Sequence, residues 1–245
     1  MSEVSLQFLG SGDAFGSGGR LQACLLLRGP AGPVLVDCGA SSLIAMKRHD
    51  IDASEIEVAL ISHLHGDHFG GIPFLILDGQ FRRRERPLIV AGPPGLRARA
   101  TEAMEVFFPG SSATERRFRL EFIELQQGVL SAVGPVTLTP FEVDHASGAP
   151  AFALRIEYAG KILAYSGDTA WTEGLLDVAR GADLFVCEAY FAEKSVPYHL
   201  DYATLVANAP RLGCKRIILT HMSEDMLARS ESAFERAEDG LMVQL

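Results

Sequence analysis

The chain has few cysteines and no paired-cysteine motif. Its 245 residues include Cys24, Cys38, Cys187 and Cys214, and no two of them form a C-x-x-C pair. This wide spacing excludes a disulfide scaffold, a zinc ribbon and a thioredoxin-type redox motif. We therefore expect a reducing compartment and four ordinary core cysteines.

Long apolar runs and a leader segment are also missing. The first ten residues, MSEVSLQFLG, contain neither a basic start nor a long apolar centre. No stretch approaches the roughly 18 uninterrupted apolar residues of a membrane span. These absences predict a soluble, cytoplasmic protein with no membrane partner.

Positive charge is scarce overall but locally concentrated. The chain has 22 Lys and Arg against 31 Asp and Glu, a net charge of −9, so nucleic acid is not the favoured partner. Between residues 81 and 120, however, nine arginines stand among four glutamates. The simpler interpretation is solvent-exposed surface, and the alternative is a basic rim that steers a small anionic substrate.

The familiar phosphate and nucleophile motifs are absent or misspaced. The glycines between residues 10 and 16 follow G-x-G-x-x-x-G, which is one residue too long for a dinucleotide fingerprint. A predicted strand follows them where pyrophosphate binding requires a helix. The chain contains neither a P-loop motif nor a G-x-S-x-G nucleophile elbow. These observations argue against a Rossmann dinucleotide site, a phosphate-binding P-loop and the usual serine hydrolase.

Short apolar runs rich in Val, Ile and Leu alternate with helical patterns. Strands are predicted at 4–9, 21–28, 34–37, 58–62, 88–91, 136–141, 151–158, 161–166, 184–188 and 216–220, and helices at 41–50, 95–108, 201–212 and 223–237. The early strands follow one another through Gly/Pro turns, which indicates hairpins. The pattern predicts a mixed α/β protein, with one domain over residues 1–245.

Three histidines and one carboxylate follow the predicted strand at 58–62. The loop reads His63-Leu64-His65-Gly66-Asp67-His68, and Gly66 would let it fold tightly. Imidazole and carboxylate groups suit Zn²⁺, with Mn²⁺ or Fe as alternatives. Such a dense cluster therefore predicts metal ligands.

Three further candidates lie just beyond predicted strands. They are His145, Asp168 in Ser-Gly-Asp-Thr, and His221 in Leu-Thr-His. Each alone is more typical of a structural residue. Because all three share the strand-end position of the histidine loop, we expect them to join it.

This ordered set of motifs resembles the metallo-β-lactamase superfamily over almost the whole chain, including Asp37 in Asp-Cys-Gly. The resemblance implies an α/β fold, specifically an αββα sandwich with two mixed sheets flanked by helices. It also implies two Zn²⁺ ions, with Mn²⁺ or Fe possible. One site would use His63, His65 and His145, the other would use Asp67, His68 and His221, and Asp168 would bridge them.

Two positions narrow the chemistry that the resemblance implies. His65 stands where the diiron flavoprotein branch has Glu, which favours zinc-type hydrolysis. Asp168 stands where many β-lactamases have Cys, which argues against antibiotic degradation. Asp37 would orient ligands from behind the metal loop.

Glu188 and His199 identify a branch of the superfamily. A Glu-Ala pair followed by a histidine just before a helix resembles ribonuclease Z and related phosphodiesterases. There the carboxylate orients an imidazole that faces the scissile phosphate and assists the leaving oxygen. The alternatives are an exposed loop histidine and a carboxylate that supports the metal loop.

The chain also departs from ribonuclease Z. His145 and Asp168 are only 23 residues apart and two predicted strands fill the interval, so the tRNA-gripping arm is absent. The family's H-S-T motif reads His199-Leu200-Asp201. These departures favour a small or cyclic phosphodiester over tRNA 3′ processing.

The resemblance therefore predicts a binuclear phosphodiesterase acting through a metal-bridging hydroxide, with Asp67, His199 and Glu188 as catalytic residues. Alternatives on the same fold are a thioesterase, a lactonase, an arylsulfatase and a non-catalytic scaffold. The apolar stretch at 71–77 and the helix at 95–108 could line a homodimer interface or the substrate cleft.

Overall fold

A computed structural model describes residues 4–245 and contains two seven-stranded β-sheets. The strands of the first sheet are β1 Ser5–Gly10, β2 Cys24–Arg28, β3 Val34–Val36, β4 Val58–Leu60, β5 Leu88–Gly92, β6 Leu120–Glu124 and β14 Met242–Gln244. Their order across the sheet is β14-β1-β2-β3-β4-β5-β6. Pairing is antiparallel from β14 to β3 and parallel from β3 to β6, so the predicted early hairpins are confirmed.

The second sheet has a similar plan. Its strands are β7 Ser131–Val133, β8 Val136–Val143, β9 Ala151–Tyr158, β10 Lys161–Tyr165, β11 Leu184–Glu188, β12 Ile217–Thr220 and β13 Glu235–Arg236. They lie in the order β13-β12-β11-β10-β9-β8-β7. The strands from β7 to β10 pair antiparallel and those from β10 to β13 pair parallel.

Helices cover the outer faces of both sheets. They are α1 Ser42–Arg48, α2 Gly66–Phe69, α3 Ile72–Phe81, α4 Leu96–Phe107, α5 Gly174–Ala179, α6 Tyr202–Leu212 and α7 Glu224–Ala228. Helices α1, α3 and α4 pack against the first sheet, and α5, α6 and α7 pack against the second. The layers are helix, sheet, sheet and helix, so the predicted αββα sandwich is confirmed.

The strands read as continuous apolar runs because both of their faces are buried. In β1, Leu6 and Phe8 join the core between the sheets, whereas Leu9 joins the core under the helices. Successive side chains of a strand point to opposite faces, so each strand must supply apolar residues to both cores.

The strands that the sequence patterns missed are the four at the sheet edges, β6, β7, β13 and β14. An edge strand has one neighbour, so it is short or partly exposed and carries no strong apolar run. The predicted helix at 223–237 is wrong in its second half. Helix α7 ends at Ala228, and Glu235 and Arg236 pair with β12 as strand β13.

Helix α3 was also missed, because most of its residues are apolar and show no helical periodicity. It packs against α4, where the rings of Phe74 and Phe107 stack at 5.7 Å. Phe81 and Val106 are 82% and 71% exposed on the outer side. The homodimer interface or substrate cleft expected on this side stays a prediction.

Burial corrects the interpretation of one residue in the basic segment. Arg84 is buried, and its guanidinium donates to the backbone carbonyls of Ala53, Ile56, Arg86 and Pro87. It therefore stabilises the loops around it and is not part of the exposed basic surface. A planar guanidinium has five N–H donors, which is enough to bond all four of these carbonyls.

Cys24, Cys38 and Cys187 are buried free thiols, and Cys214 is a half-buried one, in agreement with the expected core role. Within residues 4–245, no helix has the length and apolar character to cross a membrane. The cytoplasmic location stays a prediction.

Candidate metal centre

Four strands end at one place in the sandwich and carry all the predicted ligands there. Strand β4 of the first sheet leads into the 63–68 loop. Strands β8, β10 and β12 of the second sheet end two, three and one residues before His145, Asp168 and His221. The two sheets are joined here by a hydrogen bond from the Phe152 amide to the Ser62 carbonyl, 3.0 Å long.

The first group of side chains contains His63, His65 and His145. One nitrogen from each ring lies within 4.8 Å of the others. The closest approach is 3.0 Å, between His145 Nε2 and His65 Nδ1. The structure thus brings together the three histidines that the resemblance assigned to one metal site.

The second group contains Asp67, His68, Asp168 and His221, all buried. Asp67 Oδ2 lies 3.4 Å from His68 Nε2 and 3.3 Å from His221 Nε2. Asp168 Oδ1 lies 3.2 Å from His68 Nε2. These separations are close to the edge of about 3.4 Å expected for a tetrahedron of ligands around zinc at 2.0–2.1 Å.

Asp168 stands between the two groups. Its Oδ2 lies 3.3 Å from His221 Nε2 in the second group. The same oxygen lies 3.8 Å from His63 Nε2 and 3.9 Å from His145 Nε2 in the first. One carboxylate therefore reaches both groups, as a bridging ligand must.

Several ligand atoms have no hydrogen-bond partner although they are buried. Among the described residues these include His63 Nε2, His68 Nε2 and Asp168 Oδ1. Leaving buried polar atoms unpaired costs free energy, so a group of several unpaired buried atoms in one place needs an explanation. A cation held among these atoms would satisfy all of them. The cluster is a metal site.

Hydrogen bonds on the far side of three rings set their orientation. His145 Nδ1 must donate to the Tyr198 carbonyl, 2.9 Å away. His68 Nδ1 donates to Asp37 Oδ2 at 2.7 Å. The Ser62 hydroxyl donates to Asp37 and therefore accepts from His63 Nδ1 at 3.1 Å. Each bond leaves Nε2 free to face the cluster.

Asp37 is the centre of this supporting layer. Besides His68, its carboxylate accepts from the Ser62 amide at 2.7 Å and the Ser62 hydroxyl at 2.8 Å. The Tyr165 hydroxyl donates to it at 2.8 Å. The predicted position of Asp37 behind the metal loop agrees with these contacts. The role of Tyr165 was not predicted, because a tyrosine in an apolar strand is typical of an ordinary core residue.

The backbone is strained at three positions around the centre. Asp37, Tyr198 and His221 have φ values of 58°, 69° and 55°, in the left-handed region that side chains avoid. Such strain persists only where surrounding contacts over-determine it, and it concentrates at functional sites. Gly66, by contrast, has no positive φ, and a Cβ there would meet nothing within 4 Å. The loop is therefore tight without using the special backbone freedom of a glycine at position 66, which was the predicted reason for that residue.

Charge in the centre suits a cation. Burial lowers the pKa of the His63 and His145 imidazoles, which keeps both neutral. Burial alone would raise the pKa of Asp67, but the neighbouring His68 and a hydrogen bond from His221 hold it below its usual range. Burial would lower the pKa of His68 and His221, yet the Asp168 carboxylate raises both. Without a metal, protons supply the positive charge.

Glu188 and His199 form the predicted pair beside the cluster. Glu188 Oε2 lies 3.0 Å from His199 Nδ1, and Glu188 is fully buried at the end of β11. Its Oε1 accepts from the Thr169 amide. Burial raises the pKa of the Glu188 carboxyl, and the Asp168 carboxylate adds to the rise.

His199 packs on the metal cluster and is not a free loop residue. Its ring centre lies 5.1 Å from that of His145 and 5.8 Å from that of His221. Tyr190 stacks on it at 4.7 Å. Tyr190 does not stand out in the sequence patterns, although its place two residues after Glu188 in Glu-Ala-Tyr was a usable signal.

An αββα sandwich with His and Asp ligands at its strand ends defines a hydrolase of the metallo-β-lactamase fold. Two solved structures share this fold over nearly the full chain. The metallo-β-lactamase fold protein YhfI from Bacillus subtilis matches with a TM-score of 0.81 and 19% identity, covering 100% of both chains. The short form of human tRNase Z matches with a TM-score of 0.79 and 25% identity, covering 98% of both.

Sequence comparison gives a relative and a family. The ribonuclease Z of Geobacillus kaustophilus is 28% identical over 301 residues, covering 96% of both chains. The alignment is longer than 245 residues, so that relative carries inserted segments. The chain belongs to the family described as anti-Pycsar protein Apyc1, whose model matches residues 4–238.

Proposed function

We propose that this protein is a binuclear metal-dependent phosphodiesterase that acts on a small or cyclic phosphodiester. The observation that carries the proposal is the Glu188–His199 pair, bonded at 3.0 Å and packed directly on the metal cluster. Cleaving a phosphodiester releases an alkoxide, and a positioned imidazole can protonate it. Thioester and lactone hydrolysis do not require this pair.

Two metal ions fit the ligands better than one. The two groups of side chains are complete separately, and Asp168 contacts both. Histidine and carboxylate ligands in a tetrahedral spacing favour Zn²⁺, with Mn²⁺ or Fe as alternatives. When bound, such a pair supplies Lewis-acid stabilisation of phosphoryl charge and an acidified water molecule.

His199 supplies the proton for the leaving oxygen. Its Nδ1 is held by Glu188, so Nε2 is the ring atom left to face substrate, and the side chain is 23% exposed. When both ring nitrogens are protonated, Nδ1 donates to Glu188 and the proton on Nε2 is the one available to the leaving oxygen.

Asp67 serves to orient the attacking water. The neighbouring His68 and His221 hold its pKa low against the effect of burial, so its carboxylate is ionised at neutral pH. An ionised carboxylate accepts hydrogen bonds but donates none. Asp67 can therefore accept a hydrogen bond from the attacking water and hold it in place.

A small substrate is supported by what lies between His145 and Asp168. Strands β9 and β10 occupy most of this interval, which leaves no room for an inserted RNA-gripping arm. The Arg99 guanidinium reaches the loop after His145, since a Cβ on Gly148 would lie 3.5 Å from its Nη2. A cation at this loop favours an anionic substrate.

The test combines metal analysis with a substrate panel. The purified metal-loaded protein is assayed on bis-p-nitrophenyl phosphate, cyclic mononucleotides, a thioester, a lactone and an aryl sulfate, before and after chelation. Two metals per chain with chelator-sensitive phosphodiester cleavage support the proposal. Activity confined to thioesters, lactones or sulfates overturns it, as does a failure to bind metal.

A matched pair of histidine variants tests the role of His199. His199→Ala should lose at least about 100-fold in kcat, the usual size of a general-acid contribution, with metal content unchanged. His49→Ala is the control, because His49 is exposed and belongs neither to the metal cluster nor to the Glu188–His199 pair. Equal activity in both variants contradicts the assigned role.

A further inference from the structure

Three aromatic rings pack together at the edge of the metal centre: Tyr190 and His221 each stack on His199, and Tyr190 is tilted against His221. The centre of the Tyr190 ring is 4.7 Å from that of His199 and 5.8 Å from that of His221, and the two imidazoles are 5.8 Å apart. The interplanar angles are 28°, 40° and 11° in the same order. These distances form a triangle, so the phenol ring contacts both imidazoles.

The hydrogen bond to Glu188 does not by itself fix the His199 ring. It holds one atom, Nδ1, and the imidazole remains free to tilt about the Nδ1···Oε2 line. The torsion that sets the ring plane of histidine is broad, so the side chain alone gives little resistance. A flat group against the face of the imidazole removes this freedom.

Tyr190 is itself firmly held. Its amide donates to the Leu200 carbonyl at 2.8 Å, and its carbonyl accepts from the Ser223 amide at 3.0 Å. The Ser223 hydroxyl donates to the same carbonyl at 2.5 Å, and the Phe191 ring packs edge-on at 4.8 Å. The phenol ring therefore rests on a rigid support.

One short segment supplies both contacts to His199. Glu188 ends β11 and Tyr190 follows two residues later. In an extended chain, residues two apart point to the same side. The carboxylate that holds Nδ1 and the ring that covers the face thus come from a single rigid strand end.

We infer that Tyr190 is a positioning residue whose ring fixes the plane of the His199 imidazole and so aims Nε2 at the leaving oxygen of the substrate. This inference rests on the proposed function for its kinetic consequence. Its structural part, a His199 ring held in one plane by the Tyr190 face, stands independently.

The kinetic test compares two substitutions of Tyr190. Tyr190→Phe keeps the ring and should retain kcat within a fewfold. Tyr190→Leu removes the flat face and should lower kcat by about 10- to 100-fold with little change in KM, because small misplacements of a reacting group have effects of that size. An equal loss in both variants overturns the inference, since the hydroxyl would then be the active feature. An unchanged kcat in Tyr190→Leu also overturns it.

A double-variant comparison separates positioning from a general packing defect. In the His199→Ala background, Tyr190→Leu should cause no further loss of kcat, because the residue it positions is gone. Losses that multiply in the double variant contradict the inference. Metal content and thermal unfolding of each variant are measured alongside, so a variant that fails to fold is recognised.

A spectroscopic readout keeps the inference testable if the substrate class is wrong. The Hε1 proton of His199 should carry a ring-current shift from Tyr190 in the NMR spectrum of the zinc-loaded protein. The shift should persist in Tyr190→Phe and decrease in Tyr190→Leu, where only the His145 and His221 rings remain against His199. An unchanged shift in Tyr190→Leu contradicts the positioning role. If the shifts change as expected but the protein has no phosphodiesterase activity, the positioning role stands and only the proposed function is overturned.

Discussion

The Tyr165 hydroxyl donates a 2.8 Å hydrogen bond to Asp37 Oδ2, although the two residues are 128 positions apart. Tyr165 ends strand β10 of the second sheet, and Asp37 follows strand β3 of the first. The bond therefore joins the two halves of the sandwich. It is made to the same oxygen that holds His68 Nδ1, so the contact between the sheets also supports a metal ligand.

We predict that Tyr165→Phe weakens metal binding by about tenfold to a hundredfold, the range found when a supporting hydrogen bond behind a metal ligand is lost. Competition with a chromogenic chelator measures the affinity. Tyr158→Phe is the matched control, because its hydroxyl donates to the Gly32 carbonyl, away from the cluster. Equal metal affinity in the two variants would show that Tyr165 does not support the site.

Gly39 is required by the close approach of Asp67. A Cβ at Gly39 would lie 2.2 Å from the Asp67 carbonyl oxygen and 2.7 Å from Gln22 Cβ. We expect Gly39→Ala to displace the metal loop and to lower the free energy of unfolding by about 1–3 kcal/mol. At Gly66 a Cβ would meet nothing within 4 Å. Gly66→Ala should therefore leave the position of the metal loop and the free energy of unfolding unchanged. Urea unfolding and zinc titration of both variants test this contrast.

Metal binding should release protons and weaken at acid pH. The Asp168 carboxylate raises the pKa of His68 and His221 above the ordinary imidazole value, against the effect of burial. A metal must displace these protons, so the apparent affinity falls as the pH falls. Calorimetric zinc titrations in two buffers of different ionisation enthalpy count the released protons. A count of zero at pH 7 would contradict the expectation.

Chelation should also lower the temperature of thermal unfolding. A ligand that binds the folded chain at 100 times its Kd stabilises it by about 2.7 kcal/mol. Differential scanning calorimetry with and without excess zinc measures the shift, and a metal-independent transition would argue against a structural contribution from the site.

Arg84 should contribute strongly to stability. Its side chain satisfies four backbone carbonyls from a buried position. Each buried group left unpaired costs about 1–3 kcal/mol, so Arg84→Ala should be severely destabilising. Arg119→Ala is the control, because Arg119 is 71% exposed and pairs with Glu121 at the surface. Exposed pairs of this kind are worth about 0–1 kcal/mol. Similar urea midpoints for the two variants would contradict this account.

The sequence identified the central strands and the metal-binding side chains for the same physical reason. Inner strands are buried on both faces, so they appear as apolar runs, and His145, Asp168 and His221 stand just beyond them. Strand ends that meet at one edge of a sandwich bring such residues together. Edge strands such as β6 and β14 carry no comparable run, because one side of each lacks a neighbour.

By itself, then, the sequence predicted the central strands and a cluster of metal-ligand residue types at their ends. Its resemblance to a known family predicted the αββα sandwich, the two-site ligand set and the Glu188–His199 pair. Only the tertiary structure decided which tyrosines support the site. Tyr165 and Tyr190 read as ordinary aromatic residues, and their roles arise from contacts between distant segments. Such contacts depend on how the two sheets stack and where each side chain finally points, which local patterns of apolar and polar residues do not encode.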